Sequence, residues 1–350
     1  MNSFERCMTV LNGGMPDRVP VCLENFQHAA AFAGYTVREY CYDAQKMADA
    51  HLKTWEYFRH DMIDLENGVA ALAHAVGCKM DFLDENAPPW VMGALLPSIR
   101  DVGALKPIDP YRDGTLPALI EATRLIAREV GARVCVLSEA DQGPFSLAAQ
   151  IVGAEEFLTA LLDDELVPYV HQLLQYCANT IARYARALHD AGAHLTMIGD
   201  SIAGPDVCSP RVYRTFAFPY EKQLIENLRA DGIVMGLHIC GNATAIIDDM
   251  VATGARFLQV DYKINRARCK QAALGKTTLI GTVDPSGVMA LGSTQDVMQA
   301  ARADIEALGV RGGFVLSPGC TLPYTTPNEN VRALIAAAEQ FGKYDSRARV

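Results

Sequence analysis

The chain has 350 residues, of which 50% are hydrophobic and 21% charged, and its formal net charge is −10. This acidic balance argues against nucleic acid as a partner, because phosphate binding needs clustered Lys and Arg. The first twenty residues are polar and no apolar run is long enough to cross a membrane, so neither an export signal nor a membrane span is expected. The ten cysteines follow no regular spacing, so we expect reduced thiols in a cytoplasmic protein.

The first third of the chain predicts an N-terminal helix, two strands and a long loop. Residues 2–12 form an amphipathic pattern that stops at Gly13 and Gly14, which predicts an N-terminal helical extension. Strands are predicted at 19–24 and 62–66, with a helix at 44–59 between them. The stretch 77–111 contains five prolines, which exclude long regular elements. We expect residues 87–110 to form a lid that becomes less mobile when substrate binds.

From residue 116 onward, helical and strand patterns alternate regularly. Further strands are predicted at 133–139, 194–200, 233–240, 256–261, 278–284 and 314–320. Eight strands, each followed by a helical pattern, predict an α/β protein with a single (β/α)8 TIM barrel domain over residues 1–350. A doubly wound sheet is the alternative, but the Gly-rich phosphate turn after its first strand is missing. Gly275-Lys-Thr277 resembles the end of a P-loop, yet Lys270 stands where the first glycine should be, so a turn is predicted there.

Acidic and metal-binding side chains end every predicted barrel strand. Active sites of such barrels lie at the carboxyl ends of the strands. The residues at these ends are Glu24, Glu66, Glu139, Asp200, His238 with Cys240, Asp261, Asp284 and Cys320. We predict that the carboxylates Glu139, Asp200 and Asp261 orient the substrate or hold an imidazole in its tautomer. For Asp284, a plain strand-ending turn and a functional role are equally consistent with its position.

His238, Cys240 and Cys320 predict a metal site. Side chains two residues apart on a strand point the same way, so His238 and Cys240 face one spot. An imidazole and two thiolates are ligands that Zn²⁺ prefers, and three protein ligands with one open position is the catalytic zinc pattern. The alternative is that these cysteines are ordinary buried core residues.

Two motifs, Leu237-His-Ile-Cys-Gly241 and Leu316-Ser-Pro-Gly-Cys320, resemble the uroporphyrinogen decarboxylase superfamily. Within it the chain looks most like the zinc-dependent corrinoid methyltransferases, whose best-known members methylate coenzyme M. The likeness covers nearly the whole chain, and it implies the same barrel with zinc at His238, Cys240 and Cys320. True decarboxylases of this superfamily carry an Arg-rich motif near the first strand. Residues 24–28 contain no arginine, so porphyrin decarboxylation is disfavoured.

The resemblance implies a zinc-dependent methyltransferase working with a separate corrinoid protein that carries cobalamin. The methyl group would pass between the corrinoid and a small zinc-bound substrate, with a thiol acceptor favoured. An O-demethylase that takes the methyl group from a methoxylated aromatic substrate is the alternative. Its aromatic surroundings would come from Trp90, Phe26 and Tyr35. A third possibility is a non-catalytic subunit whose cysteines are merely buried.

Overall fold

Eight parallel strands close into a barrel in the computed structural model, which describes residues 1–344. The strands are β1 Cys22–Leu23, β2 Met62–Leu65, β3 Met80–Phe82, β4 Pro89–Val91, β5 Cys135–Gln142, β6 Leu195–Gly199, β7 Met235–Ile239, β8 Phe257–Val260, β9 Thr278–Val283 and β10 Phe314–Pro318. The barrel strands pair in the order β1-β2-β5-β6-β7-β8-β9-β10, and β3 pairs only with β4. Leu316 bridges Val21 and donates its N–H to the Pro20 carbonyl at 2.9 Å, which joins the last strand to the first. The predicted (β/α)8 barrel and α/β class are confirmed.

Helices cover the outside of the barrel. They are α1 Ser3–Leu11, α2 Phe26–Ala33, α3 Val37–Tyr42, α4 Ala44–Phe58, α5 Ala71–Val76, α6 Leu116–Val130, α7 Pro144–Val152, α8 Ala154–Ala160, α9 Val167–Asp190, α10 Pro210–Val212, α11 Phe218–Ala230, α12 Ile247–Ala252, α13 Arg266–Ala273, α14 Thr294–Leu308 and α15 Asn328–Phe341. In α6, buried Leu119, Ile120, Ile126 and Val130 recur at helical spacing, so one face packs inward. Across residues 1–344, every helix is too short or too polar to span a bilayer.

The interior of the barrel changes from apolar to polar along its axis. The half nearer the amino ends of the strands is filled by a hydrophobic cluster, formed by Cys7, Val10, Leu11, Cys22, Met62, Cys135, Leu137, Leu195, Met197, Phe257, Ile280 and Val315. The first three belong to α1, which therefore plugs the amino end of the barrel as the predicted N-terminal extension. Burial of each large side chain there contributes about 1.5–3 kcal/mol. At the opposite end the inward positions become acidic or metal-binding, so any chemistry is confined to the carboxyl ends of the strands.

Asp61 holds the plug in place. This residue is fully buried just before β2 and accepts hydrogen bonds from Arg6 and Arg18, both at 2.6 Å. It also accepts from the hydroxyl of Ser3 at 2.8 Å and the Val21 N–H at 2.9 Å. Removing one partner of a buried, hydrogen-bonded charge network typically costs about 3–5 kcal/mol. Asp61 and its partners therefore stabilise the amino end of the barrel.

The proline-rich segment contains little regular structure, as its sequence predicts. It holds the two three-residue strands β3 and β4 and one 3₁₀ turn at Ile99–Ala104. The segment packs on the flank of the barrel, where the Leu95 N–H donates to the Ile151 carbonyl of α7 at 2.8 Å. Pro89 packs directly on Gly68 in the loop after β2. Its movement over the strand ends on substrate binding stays a prediction.

Candidate metal centre

The barrel brings His238, Cys240 and Cys320 together. Their ligand atoms, one nitrogen and two sulfurs, all lie within 4.8 Å of one another. His238 is on β7, Cys240 follows the strand by one residue, and Cys320 lies two residues beyond β10. Nε2 of His238 is 3.0 Å from Sγ of Cys240. His238 is 5% exposed, and both cysteines are only partly exposed, so the three donors converge in a sheltered position at the carboxyl ends of the strands.

Tight turns after both strands aim the sulfurs inward. Gly241 has a φ of +78°, a conformation that L side chains rarely adopt. A side chain at Gly319 would bring its Cβ within 2.8 Å of the Tyr262 backbone nitrogen. Asp261 fastens the turn after β7 to the turn after β8, because its carboxylate accepts the N–H of Gly241 at 2.8 Å and that of Lys263 at 3.0 Å. Asp261 therefore positions the loop that carries Cys240.

The charges of the three donors suit a bound cation. Hydrogen bonding to Cys320 and the neighbouring His238 lower the pKa of Cys240 to about 3, against the effect of burial. The Cys240 hydrogen bond, with burial, raises the pKa of Cys320. Burial alone would lower the pKa of His238, but Cys240 and Glu24 raise it to about 10. A dication that binds these donors would displace their protons. One nitrogen with two sulfurs is a ligand set that fits Zn²⁺.

A backbone carbonyl orients the imidazole. Nδ1 of His238 lies 3.2 Å from the carbonyl oxygen of Gln259, which can only accept a hydrogen bond. Nδ1 therefore carries the proton in the neutral ring, and Nε2 is left to face the sulfurs. The Gln259 side chain also donates from Nε2 to Glu24 Oε2 at 2.6 Å. Gln259 was not among the predicted site residues, although its spacing from Asp261 on one strand placed it inside the barrel.

Carboxyl groups line the interior beside the three donors. Oxygens of Glu24, Glu66 and Glu139 lie within 4.8 Å of one another, and each side chain is at least nine-tenths buried. Burial raises the pKa of Glu24 and Glu139, and it raises that of Glu66 to about 7. Asp64 on β2 adds a further buried carboxyl group. Across residues 1–344, no ion pair joins these four groups to a Lys or Arg.

The predicted carboxylates have different environments. Glu139 belongs to the acidic cluster, and its Oε1 has no hydrogen-bond partner among the described residues. Asp200 instead accepts the N–H groups of Phe145 and Ser146, at 3.1 and 2.7 Å, and so caps α7. Asp284 accepts two N–H groups of the turn that follows β9, each at 2.9 Å. Backbone donors therefore hold Asp200, Asp261 and Asp284, and the imidazole is held by a carbonyl and not by a carboxylate.

The three aromatic residues expected to surround a methoxyarene do not form one cluster. Phe26 is 2% exposed and packs on Tyr40. Tyr35 donates its hydroxyl to Asp49 on α4 at 2.8 Å, and Trp90 lies on β4 with 45% of its side chain exposed. No ring contact in the described part of the chain joins the three. The role of these residues around a methoxyarene stays a prediction.

Comparison with known proteins decides the family. The model of the uroporphyrinogen decarboxylase (URO-D) family matches residues 2–341. The chain belongs to this family. The resemblance identified from the His-x-Cys and Pro-Gly-Cys motifs is therefore confirmed.

Methyltransferases and decarboxylases both occur among the URO-D relatives. Methylcobamide:CoM methyltransferase MtaA of Methanosarcina barkeri is 28% identical over 341 residues, covering 96% of this chain and 97% of the relative. Uroporphyrinogen decarboxylase of Crocosphaera subtropica is 27% identical over 295 residues, covering 83% and 80%. A solved methyltransferase from Methanosarcina mazei superimposes with a TM-score of 0.88 at 28% identity, covering 97% and 99%. The prediction of an enzyme is confirmed, and the site residues must distinguish the reactions.

Proposed function

We propose that this URO-D family protein is a zinc-dependent methyltransferase that moves a methyl group from a corrinoid, carried by a partner protein, to a small thiol. The observation that carries the proposal is the convergence of His238, Cys240 and Cys320 at the open end of the barrel. The nearly full-length match to a methylcobamide:CoM methyltransferase supports the corrinoid and the thiol.

Zinc held by one imidazole and two thiolates would lower the pKa of a thiol in the fourth position and keep its sulfur nucleophilic. The chain supplies the surroundings for this chemistry. Gln259 fixes the tautomer of His238, and the Ser201 hydroxyl lies 3.5 Å from Cys240 Sγ, where it can donate a hydrogen bond. Glu66, whose pKa burial raises to about 7, is suited to accept the proton that the thiol loses. The hydrophobic cluster at the amino ends of the strands excludes water from that side of the site.

The acidic interior indicates the class of thiol. Glu24, Glu66 and Glu139 stand beside the metal ligands without a basic partner in the described ion pairs. A second negative group on the substrate would be buried there without a cationic partner, whereas a hydroxyl or an ammonium group would hydrogen-bond to the carboxyl oxygens. We therefore propose a thiol whose other end is neutral or positively charged. The same lack of a cationic partner disfavours a porphyrin polycarboxylate, and hence decarboxylation.

A spectroscopic assay tests the proposed reaction. Zinc-loaded protein mixed anaerobically with methylcobalamin and cysteamine or 2-mercaptoethanol should form cob(I)alamin, visible in the absorbance spectrum, with the methyl thioether detected by mass spectrometry. We expect 2-mercaptoethanesulfonate to react at least about tenfold more slowly, because an uncompensated cost of about 1.4 kcal/mol for burying the sulfonate is enough for that factor.

The outcomes separate the parts of the proposal. Equal rates with all three thiols would leave methyl transfer in place and overturn the substrate class. No reaction with any thiol, together with demethylation of a methoxyarene by cob(I)alamin, would replace the thiol acceptor with an ether donor. The Cys208→Ala variant is a suitable control, because Cys208 is buried outside the metal-ligand cluster and its loss should leave the rate unchanged.

A further inference from the structure

A cavity of about 270 Å³ opens at the end of the barrel opposite the metal ligands. Its walls come from the C-terminal end of α1 and from the residues that precede β8, β9 and β10. The six residues of β9 span about 20 Å at the usual rise of a strand, so the cavity is remote from the site proposed for methyl transfer. Nothing in the proposed reaction uses it.

The cavity is basic in an acidic protein. Among the described residues that line it, four are Arg or Lys (Arg256, Lys270, Lys276 and Arg311) and none is Asp or Glu. The chain as a whole has 31 Lys and Arg against 41 Asp and Glu. A cavity whose charged lining residues are all cationic is therefore unlike the rest of the protein. Since like charges repel, a group of four cations without a counter-charge among residues 1–344 indicates a site for an anion.

On helix α13, the cation that lines the cavity differs from its neighbours, because it has no ion-pair partner among the described residues. Arg266 and Arg268 of this helix form ion pairs with Asp304 and Asp248, respectively. Lys270, on the same helix, instead donates from Nζ to the Gly312 carbonyl at 2.5 Å. Burial and the neighbouring Arg311 lower the pKa of Lys270 to about 8, so the folded chain bears the cost of an uncompensated cation.

We infer that this cavity binds the phosphoryl groups of a small organic phosphate of nucleoside diphosphate size. Guanidinium and ammonium groups donate several charge-assisted hydrogen bonds to phosphate oxygens. Asn12 Oδ1 accepts from Arg256 at 2.7 Å and so orients one guanidinium at the rim. A second cavity of about 380 Å³ shares Arg256 and Lys276 with the first and is partly lined by the apolar residues Ile233 and Val234. The phosphates occupy the basic cavity, and the less polar part of the ligand occupies its neighbour.

Isothermal titration of the full-length protein with ADP and with inorganic pyrophosphate, at low ionic strength, tests this site. One ADP should bind per chain, and pyrophosphate should bind more weakly because it leaves the second cavity empty. Arg311 has a φ of +63°, so Arg311→Gly removes a guanidinium from a backbone conformation that glycine adopts freely. We expect this variant to weaken ADP binding at least about tenfold, as loss of a charge-assisted contact typically does.

Arg59→Gly is the matched control. Arg59 also has a positive φ, of 58°, but its cavity contains the carboxylates Asp49, Glu56 and Glu129. This variant should bind ADP as the unmodified protein does, and so should Cys320→Ala, whose change lies at the other end of the barrel. Equal affinity for ADP and pyrophosphate would show that only the phosphates are bound, and would overturn the role given to the second cavity. Absence of binding at millimolar ADP, or equal losses in Arg311→Gly and Arg59→Gly, would overturn the inference.

Discussion

Cys240→Ala and Cys320→Ala should each lower bound zinc from about one ion per chain to less than about a tenth, because a three-ligand site does not survive the loss of a thiolate. Methyl transfer should fall more than about a hundredfold, since even outer partners of metal ligands contribute 10–100-fold to affinity or activity. Both sulfurs are partly exposed beyond the ends of their strands. When all proteins are compared without metal, their unfolding free energies should therefore differ by less than about 1 kcal/mol. Metal analysis by mass spectrometry and urea denaturation measure the two effects separately.

Cys208→Ala separates loss of a ligand from loss of any cysteine. Cys208 is 7% exposed and lies outside the group of converging donors. This variant should keep its zinc and lose a little stability, the reverse of the pattern at Cys240 and Cys320. X-ray absorption at the zinc edge of the unmodified protein should show sulfur and nitrogen neighbours. Zinc retained by both ligand variants, or an edge with oxygen neighbours alone, would show that the three donors are not a metal site.

The barrel and its converging donors were predictable because both depend on simple periodicities. Strand patterns bounded by helices specify a barrel, and the side-chain period of two places His238 and Cys240 on one face. Cys320 could be added because carboxyl ends of barrel strands meet at one rim. The acidic residues predicted at those ends were candidates on the same grounds, and a catalytic role for Glu139, Asp200 and Asp261 stays a prediction. These predictions require only local spacing and one rule about barrel geometry.

Hydrogen-bond partners were not predictable in the same way. The sequence predicted all three of Glu139, Asp200 and Asp261 at strand ends, but Glu139 lies within β5. The carboxylates of Asp200 and Asp261 accept backbone N–H groups from loops and a helix start. Which groups approach a strand end depends on how the following loops fold, and no periodicity in the sequence reports this. The direct ring contacts of Phe26, Tyr35 and Trp90 could not be predicted for the same reason. Gln259 was detectable by alternation, but amides are less obvious candidates than acids.

His60 is buried between α4 and β2 in an environment that favours its neutral form. Its side chain is fully buried, and neither ring nitrogen has a hydrogen-bond partner within the described part of the chain. Burial, with a smaller contribution from the nearby His28, lowers the pKa of His60 to about 3. His51, also fully buried, has its pKa lowered to about 3 by burial and by His60. An unfolded chain would bind protons at these rings near pH 6.5, whereas the folded chain would not.

His60→Met should therefore remove part of the acid sensitivity of the fold. A base whose folded pKa is depressed contributes stability above its unfolded pKa, and that stability is lost as pH falls towards the folded value. Between pH 7.5 and 5.0, the unfolding free energy of the unmodified protein should fall by about 2 kcal/mol relative to that of His60→Met. Urea denaturation of both proteins at each pH measures this difference. The carboxyl groups are the same in both proteins, so the effect of their titration cancels. His189→Met, at an exposed position on α9, is the matched control, because its ring is in contact with water in the folded as in the unfolded chain. If the difference for His60→Met is constant, His60 takes up a proton in the folded protein and its environment is less dry than its burial indicates.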